Sequence, residues 1–70
     1  MNRVAVSSSM IRSVGYDDQN LLLEIEFEAG TIYQYSGVDR ATYLGLVAAS
    51  SKGHYFTEHI KDICPCRRVL

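Results

Sequence analysis

Leu21-Leu22-Leu23-Glu24-Ile25-Glu26-Phe27-Glu28, then Ala29-Gly30, then Thr31-Ile32-Tyr33-Gln34-Tyr35, is the stretch on which the fold of this chain turns. Leu21, Leu23, Ile25 and Phe27 alternate with Leu22, Glu24, Glu26 and Glu28, a period of two that specifies a strand with one buried and one wet face. Thr31 to Tyr35 is β-branched and aromatic and forms a second strand, with Gly30 marking the hairpin turn between them. Two registers are open. A two-residue Ala29-Gly30 loop pairs Glu26 with Tyr33 and Glu24 with Tyr35, leaving both rings on the solvent face. A three-residue loop, with Glu28 and Ala29 in a type I turn and Gly30 at positive φ, pairs Ile25 with Tyr33 and Leu23 with Tyr35 on the core face. The type I′ form of the shorter loop needs positive φ at Ala29, which is costly for a residue with a Cβ, and this favours the core-facing register.

Upstream, Ser9 to Tyr16 reads as a strand ended by the turn cluster Asp17-Asp18-Gln19-Asn20. Its buried face is ambiguous: Met10, Val14 and Tyr16 share a side with Arg12, while Ile11 falls with Ser9, Ser13 and Gly15. Downstream, Asp39 offers an N-cap for a helix to about Ala49, with Tyr43, Leu46, Val47 and Ser50 on one stripe. Gly45 weakens that helix by about 1 kcal/mol relative to Ala. Ser51 caps a second, shorter helix to about Lys61, in which Phe56, Ile60 and Ile63 recur at helical spacing, and Pro65 ends any continuation. The expected fold class is α+β: a three-stranded antiparallel sheet followed by two helices packed on the face that carries Leu23, Ile25 and Phe27.

Seventy residues make one domain, 1–70, with its core expected over about residues 6–64. With 47% apolar and 21% charged residues, the composition is that of an ordinary folded chain. There is no apolar run of membrane-spanning length and no secretory h-region, so the expectation is a cytoplasmic protein without a membrane partner. Cys64 and Cys66 flank Pro65, too close for an unstrained disulfide, and are read as thiols. Together with His54 and His59 they make four ligand-type residues, but the spacing is not that of a zinc site, and no metal or cofactor is expected. The net charge of −1 is unevenly placed. Residues 1–39 carry two basic and six acidic side chains and residues 40–70 five basic and two acidic, so the halves sit at −4 and +3. A basic half is an attraction for phosphates.

Ser7-Ser8-Ser9, Gly15-Tyr16-Asp17, Tyr33-Gln34-Tyr35-Ser36-Gly37-Val38 and Ser50-Ser51-Lys52-Gly53-His54-Tyr55-Phe56, in this order and spacing, resemble the KTSC domain. That family is named for its occurrence at the C-terminus of some bacterial lysyl-tRNA synthetases and also occurs as stand-alone proteins. The resemblance covers about residues 6–69. It implies a compact α+β domain in which Tyr33, Tyr35 and Phe56 are motif residues with a structural role, and it carries the family's usual conjecture of RNA binding. The chain departs from the family pattern at Thr57, Lys61, Cys64 and Cys66, where Asn, Arg and nearby tyrosines are more usual.

Among the candidate sites, Ser51-Lys52-Gly53 combines a helix start, a full positive charge and a close-approach glycine, which suits an anion. Lys61, Arg67 and Arg68, with Arg40, His54 and His59, form a basic end, and Tyr55 is read as an exposed ring among them. Tyr33 and Tyr35, two apart on one strand, either stack bases or serve as sheet core; the preferred register makes them core, and Glu24, Glu26 and Glu28 on the exposed face oppose nucleic acid there. No histidine has an evident nucleophile partner, so the chain is not expected to be an enzyme. The leading expectation is a small non-catalytic module binding nucleic acid, RNA above all, through phosphates held by Ser51, Lys52, Gly53, Tyr55, Lys61, Arg67 and Arg68. The alternative is a protein interaction module docking through a sheet edge.

Overall fold

The computed structural model describes Met1–Leu70 as β1 (Val4–Ala5), β2 (Ile11–Asp17), β3 (Leu22–Phe27), β4 (Ile32–Ser36), α1 (Arg40–Ala48), α2 (Lys52–His59) and β5 (Cys66–Arg68). The strand alternation of residues 21–35 yields the β3–β4 hairpin, with Ile25 opposite Tyr33 and Leu23 opposite Tyr35. This is the three-residue-loop register: Phe27 N donates to Thr31 O at 2.9 Å, Gly30 N donates to Phe27 O at 2.9 Å, and Gly30 sits at φ 96°. Both tyrosines therefore stand on the face that carries Leu23 and Ile25.

The ambiguity of the preceding strand is resolved by a β-bulge. Ile11 lies opposite Phe27 and Ser13 opposite Glu26, which makes Arg12 the extra residue; beyond it Val14 faces Ile25 and Tyr16 faces Leu23. One inserted residue flips the alternation, so Ile11, Val14 and Tyr16 all point to the core although 11 and 14 differ in parity. Ile11 and Val14 are 0% and 1% exposed.

The sheet has five strands, not three. It is antiparallel throughout in the order β1-β2-β3-β4-β5, with β1 paired to β2 at Val4–Val14 and β5 paired to β4 at Tyr33–Arg68, Gln34–Arg67 and Tyr35–Cys66. Both added strands are sheet edges, and edges are kept short and charged against unwanted pairing, which erases the apolar alternation that announces a strand. The C-terminal segment is thus tied down: Ser36 N donates to Pro65 O at 2.8 Å and Ile32 N to Leu70 O at 3.1 Å.

Asp39 and Ser51 cap the helices as their positions require, Asp39 Oδ1 accepting from Thr42 N at 2.8 Å and Ser51 Oγ from His54 N at 3.3 Å. Helix α2 stops at His59 rather than near Lys61. Asp62 adopts φ 61°, which turns the chain off the helical path, and Ile63, expected on the buried stripe, is 65% exposed. The helices cover one sheet face and enclose Ile11, Val14, Leu23, Ile25, Tyr35, Val38, Leu46, Phe56 and Ile60. At the rim Tyr16 stacks on Tyr43 at 4.5 Å, and its hydroxyl donates to Val38 O at 2.6 Å. No helix is long and apolar enough to cross a membrane.

Gly45 is the contact point of the two helices: a Cβ there would lie 2.7 Å from Tyr55 Cζ. The glycine that weakens α1 is the one that lets α2 approach. Gly45→Ala is expected to destabilise the native chain but to stabilise a Tyr55→Ala background by about 1 kcal/mol, the usual helix preference of Ala over Gly. Urea unfolding of the four proteins measures this; the same sign in both backgrounds would contradict the packing assignment.

Candidate functional site

On the helix side of the hairpin, four aromatic rings meet. Phe56 of α2 makes edge contacts with Phe27 at 5.4 Å and Tyr35 at 5.3 Å, and Tyr33 meets Phe27 at 6.0 Å and Tyr35 at 6.3 Å. Such edge-to-face pairs add to the stabilisation that burial supplies. The β3–β4 register stands Phe27, Tyr33 and Tyr35 on one face, and the Ser51 cap orients the helix that delivers Phe56.

Phe27, Tyr35 and Phe56 form the floor of an open groove of about 470 Å³. Its walls come from the Ser9-Met10 segment, the turn residues Glu28, Ala29 and Thr31, and Lys61 just beyond α2. The Ser9-Met10 wall is held by Ser8, whose Oγ accepts from Met10 N at 3.1 Å and Ile11 N at 3.2 Å. Met10 also leans on the start of α2, where a Cβ on Gly53 would lie 3.0 Å from its Sδ. Burial, aided by the charges of Cys66, Tyr33 and Asp62, pushes the Tyr35 phenol up to about 12, so the floor is uncharged at neutral pH. Glu28 on the rim is paired with Arg12 at 3.4 Å.

The opposite face of the sheet is polar but not simply wet. Glu24, expected on the exposed face, is 7% exposed. Arg3 of the N-terminal segment reaches across β2 to form an ion pair with Glu24 Oε2 and donates from Nε to Ser13 Oγ at 3.1 Å. Gln34 Nε2 donates to Glu24 Oε1 at 2.9 Å, and Arg67 NH2 donates to Gln34 Oε1 at 3.1 Å, so the chain of hydrogen bonds links both edges of the sheet. Ser13 Oγ adds a bond to Glu26 Oε1 at 2.8 Å. Burial raises the Glu24 carboxyl, but the bonds from Gln34 and Arg3 outweigh it and the net shift is downward. These glutamates were legible as an alternating face; their partners, ten to twenty-one residues away in sequence, were not.

The basic residues singled out in the sequence do not form one patch. Lys52 opens α2 and Lys61 lies two residues beyond its last residue, so an eight-residue helix about 12 Å long stands between them. Lys52 Nζ donates to Ala49 O at 3.0 Å, and Ser51 is occupied in capping. Arg67 lies on the polar face with Gln34, whereas Arg68, its neighbour on the strand, points to the other face and donates to Leu70 O at 3.0 Å. Tyr55 is half-buried against Gly45 and His59 rather than an exposed ring, because the helix approach at Gly45 encloses it. Arg40 pairs with Asp18 at 3.6 Å and His54 with Glu58 at 2.7 Å. Of the seven Lys and Arg side chains, Lys61 alone has neither an ion pair nor a hydrogen bond.

A larger, more polar cleft of about 650 Å³ lies between Met1-Asn2 and the β2–β3 turn. Several of its polar side chains are engaged: Asp17 accepts from Asn20 at 2.8 Å, Asp18 pairs with Arg40 and Gln34 is bonded to Glu24. The aromatic groove is therefore the better candidate. Sequence reasoning did not assemble it, since Phe27 and Phe56 were read as core and Tyr35 as core in preference to a base-stacking ring; its remaining signal, Ser8-Ser9-Met10 beside a bulge, has no meaning without the register.

A family model described as the KTSC domain matches residues 7–63. An uncharacterized protein of Stutzerimonas stutzeri is 41% identical over 61 residues, covering 87% of this chain and 86% of that protein. A lysine–tRNA ligase of Nostoc punctiforme is 36% identical over 53 residues, which span 76% of this chain and 9% of the ligase. The crystal structure of a KTSC domain protein from Yersinia pestis superposes with a TM-score of 0.93 at 44% identity, covering 99% of this chain and 97% of that one.

Proposed function

The chain belongs to the KTSC domain family, and from that premise we propose that it is a small non-catalytic binding module that holds a segment of a partner protein in the groove over Phe27, Tyr35 and Phe56. The observation that carries this reading is the groove itself: a preformed aromatic floor, uncharged and rimmed by Ser9, Glu28, Thr31 and Lys61, is how proteins take an apolar anchor. Its volume of about 470 Å³ falls within the usual range for ligand clefts. Docking by strand addition has less support, because β1 is two residues long and β5 is three, two of them arginine. A non-catalytic role is supported by the groove lining, which holds no histidine or cysteine, and by burial, which raises the Cys64 thiol away from thiolate.

The match to a lysine–tRNA ligase favours a second reading, contact with RNA, in which the same rings offer faces to a base. The scatter of Lys52, Lys61, Arg67 and Arg68 gives that reading less support than the groove gives the first.

Amide NMR of labelled protein separates them, with N-acetyl-phenylalaninamide as an uncharged apolar probe and a short mixed-sequence single-stranded RNA as the other. The expected result is that the apolar probe moves the amides of Met10, Thr31 and Lys61 and that added salt leaves those shifts in place. Shifts with RNA at Ser51–Tyr55 and Arg67–Arg68 that reverse with salt would favour RNA instead.

A further inference from the structure

Resting on the groove reading, we propose that the segment the groove takes is an acidic one: an aromatic or large aliphatic side chain laid over Phe56, with an Asp or Glu next to it whose carboxylate pairs with Lys61. The rim supplies the reason. Two charged residues line the groove, Glu28 and Lys61. Glu28 is paired with Arg12, which it shares with Glu26 at 3.8 Å, so it already has a partner within the domain. Lys61 is exposed and is the one Lys or Arg side chain without a partner. The floor adds no charge, since the Tyr35 phenol keeps its proton. Asp62 follows Lys61 but lies outside the groove lining. A bound segment therefore meets an apolar surface with a single unanswered positive charge at one end, and charge complementarity selects an anchor followed or preceded by a carboxylate. A basic segment has to compete with Arg12 for Glu28, and a purely apolar one leaves Lys61 unused.

A charge swap tests this. Dissociation constants are measured by NMR for the peptides Gly-Ser-Phe-Asp-Ser-Gly and Gly-Ser-Phe-Lys-Ser-Gly against the native chain and Lys61→Glu, an exposed substitution whose fold the same spectra monitor. The native chain is expected to prefer the Asp peptide by about fivefold, the upper end for an ion pair at a wet rim, and Lys61→Glu to invert the order. Equal binding of both peptides to both proteins would overturn the charge assignment and leave the groove in place. Binding of neither peptide, together with no response to the uncharged probe, would remove the groove reading itself. Oligouridine that competes for the groove and loses affinity in Lys61→Glu would put a phosphate where the carboxylate is proposed and overturn the protein partner. Groove shifts that grow with the concentration of the chain alone would do the same in favour of a second copy.

Discussion

Phe56→Ala is expected to lower the unfolding free energy by about 3–5 kcal/mol, the usual cost of emptying a buried phenylalanine site. At about 0.05–0.15 kcal/mol per residue, a domain of this size has about 3.5–10 kcal/mol in total, so the variant loses about a third of its stability or more. The reason is position. Phe56 is 3% exposed and is the side chain through which α2 meets the rings of Phe27 and Tyr35. Phe56→Leu keeps an apolar filling and is expected to cost well under half as much, leaving a folded protein with a less aromatic groove floor. Urea unfolding followed by circular dichroism measures both. A cost for the Ala variant below about 1 kcal/mol would show that α2 is not anchored through this ring.

The second large effect lies on the opposite face. Arg3→Ala leaves the Glu24 carboxylate with Gln34 as its remaining side-chain partner, at a site 7% exposed. Breaking a buried ion pair from one side costs about 3–5 kcal/mol, and the 28% exposure of the Arg3 side chain brings the expectation here toward about 2 kcal/mol. The effect has a pH signature with a definite sign. Glu24 titrates lower in the folded chain than its ordinary value, so its ionised form stabilises the fold. That stabilisation is complete above the ordinary carboxyl range and is lost as pH falls through the depressed folded pKa. The native chain is therefore expected to lose stability from this source on acidification, and Arg3→Ala to show a shallower acid limb as well as a lower plateau. The double variant Arg3→Ala with Glu24→Leu, which removes the stranded charge, is expected to recover part of the loss. An unchanged acid limb in Arg3→Ala would mean that the pair does not set the stability of this face.

The central hairpin was legible because Leu23, Ile25 and Phe27 alternate with charge and because Ala29 resists positive φ; those two facts led to the observed register. The helix caps were equally plain, since Asp39 and Ser51 precede apolar stripes. The edge strands were not. Val4-Ala5 is too short to show a period, and Cys66-Arg67-Arg68 is dominated by charge, so each is a strand only because a neighbour offers it hydrogen bonds. The bulge at Arg12 hid the inward face of β2 for a related reason: a period-two reading carries no sign of an inserted residue until the partner strand is in place. Of the candidate site, the sequence marked Lys61, Tyr35 and Phe56 separately and for different reasons. Their convergence depends on the β3–β4 register and on the turn that ends α2 at Ile60, where Lys61 N donates to Phe56 O at 2.9 Å, and nothing in the residues around it announces that conformation.

The basic residues teach the complementary lesson. A charge of +3 over residues 40–70 looks like a surface when written in one line, yet in three dimensions Arg67 and Arg68 fall on opposite faces and Lys52 turns back to α1. Strand alternation and local hydrogen bonds disperse what the sequence gathers. Lys61 remains, beside an aromatic floor.

The most direct test of the groove as the binding site is a set of intermolecular nuclear Overhauser effects between the acidic Phe-Asp peptide and labelled protein at saturation. Cross-peaks are expected from the peptide's phenylalanine ring to ring protons of Phe27, Tyr35 and Phe56 and to the Met10 methyl group. Cross-peaks confined to the edge strand at Arg67 and Arg68, or to the start of α2 at Lys52 and Gly53, would contradict it.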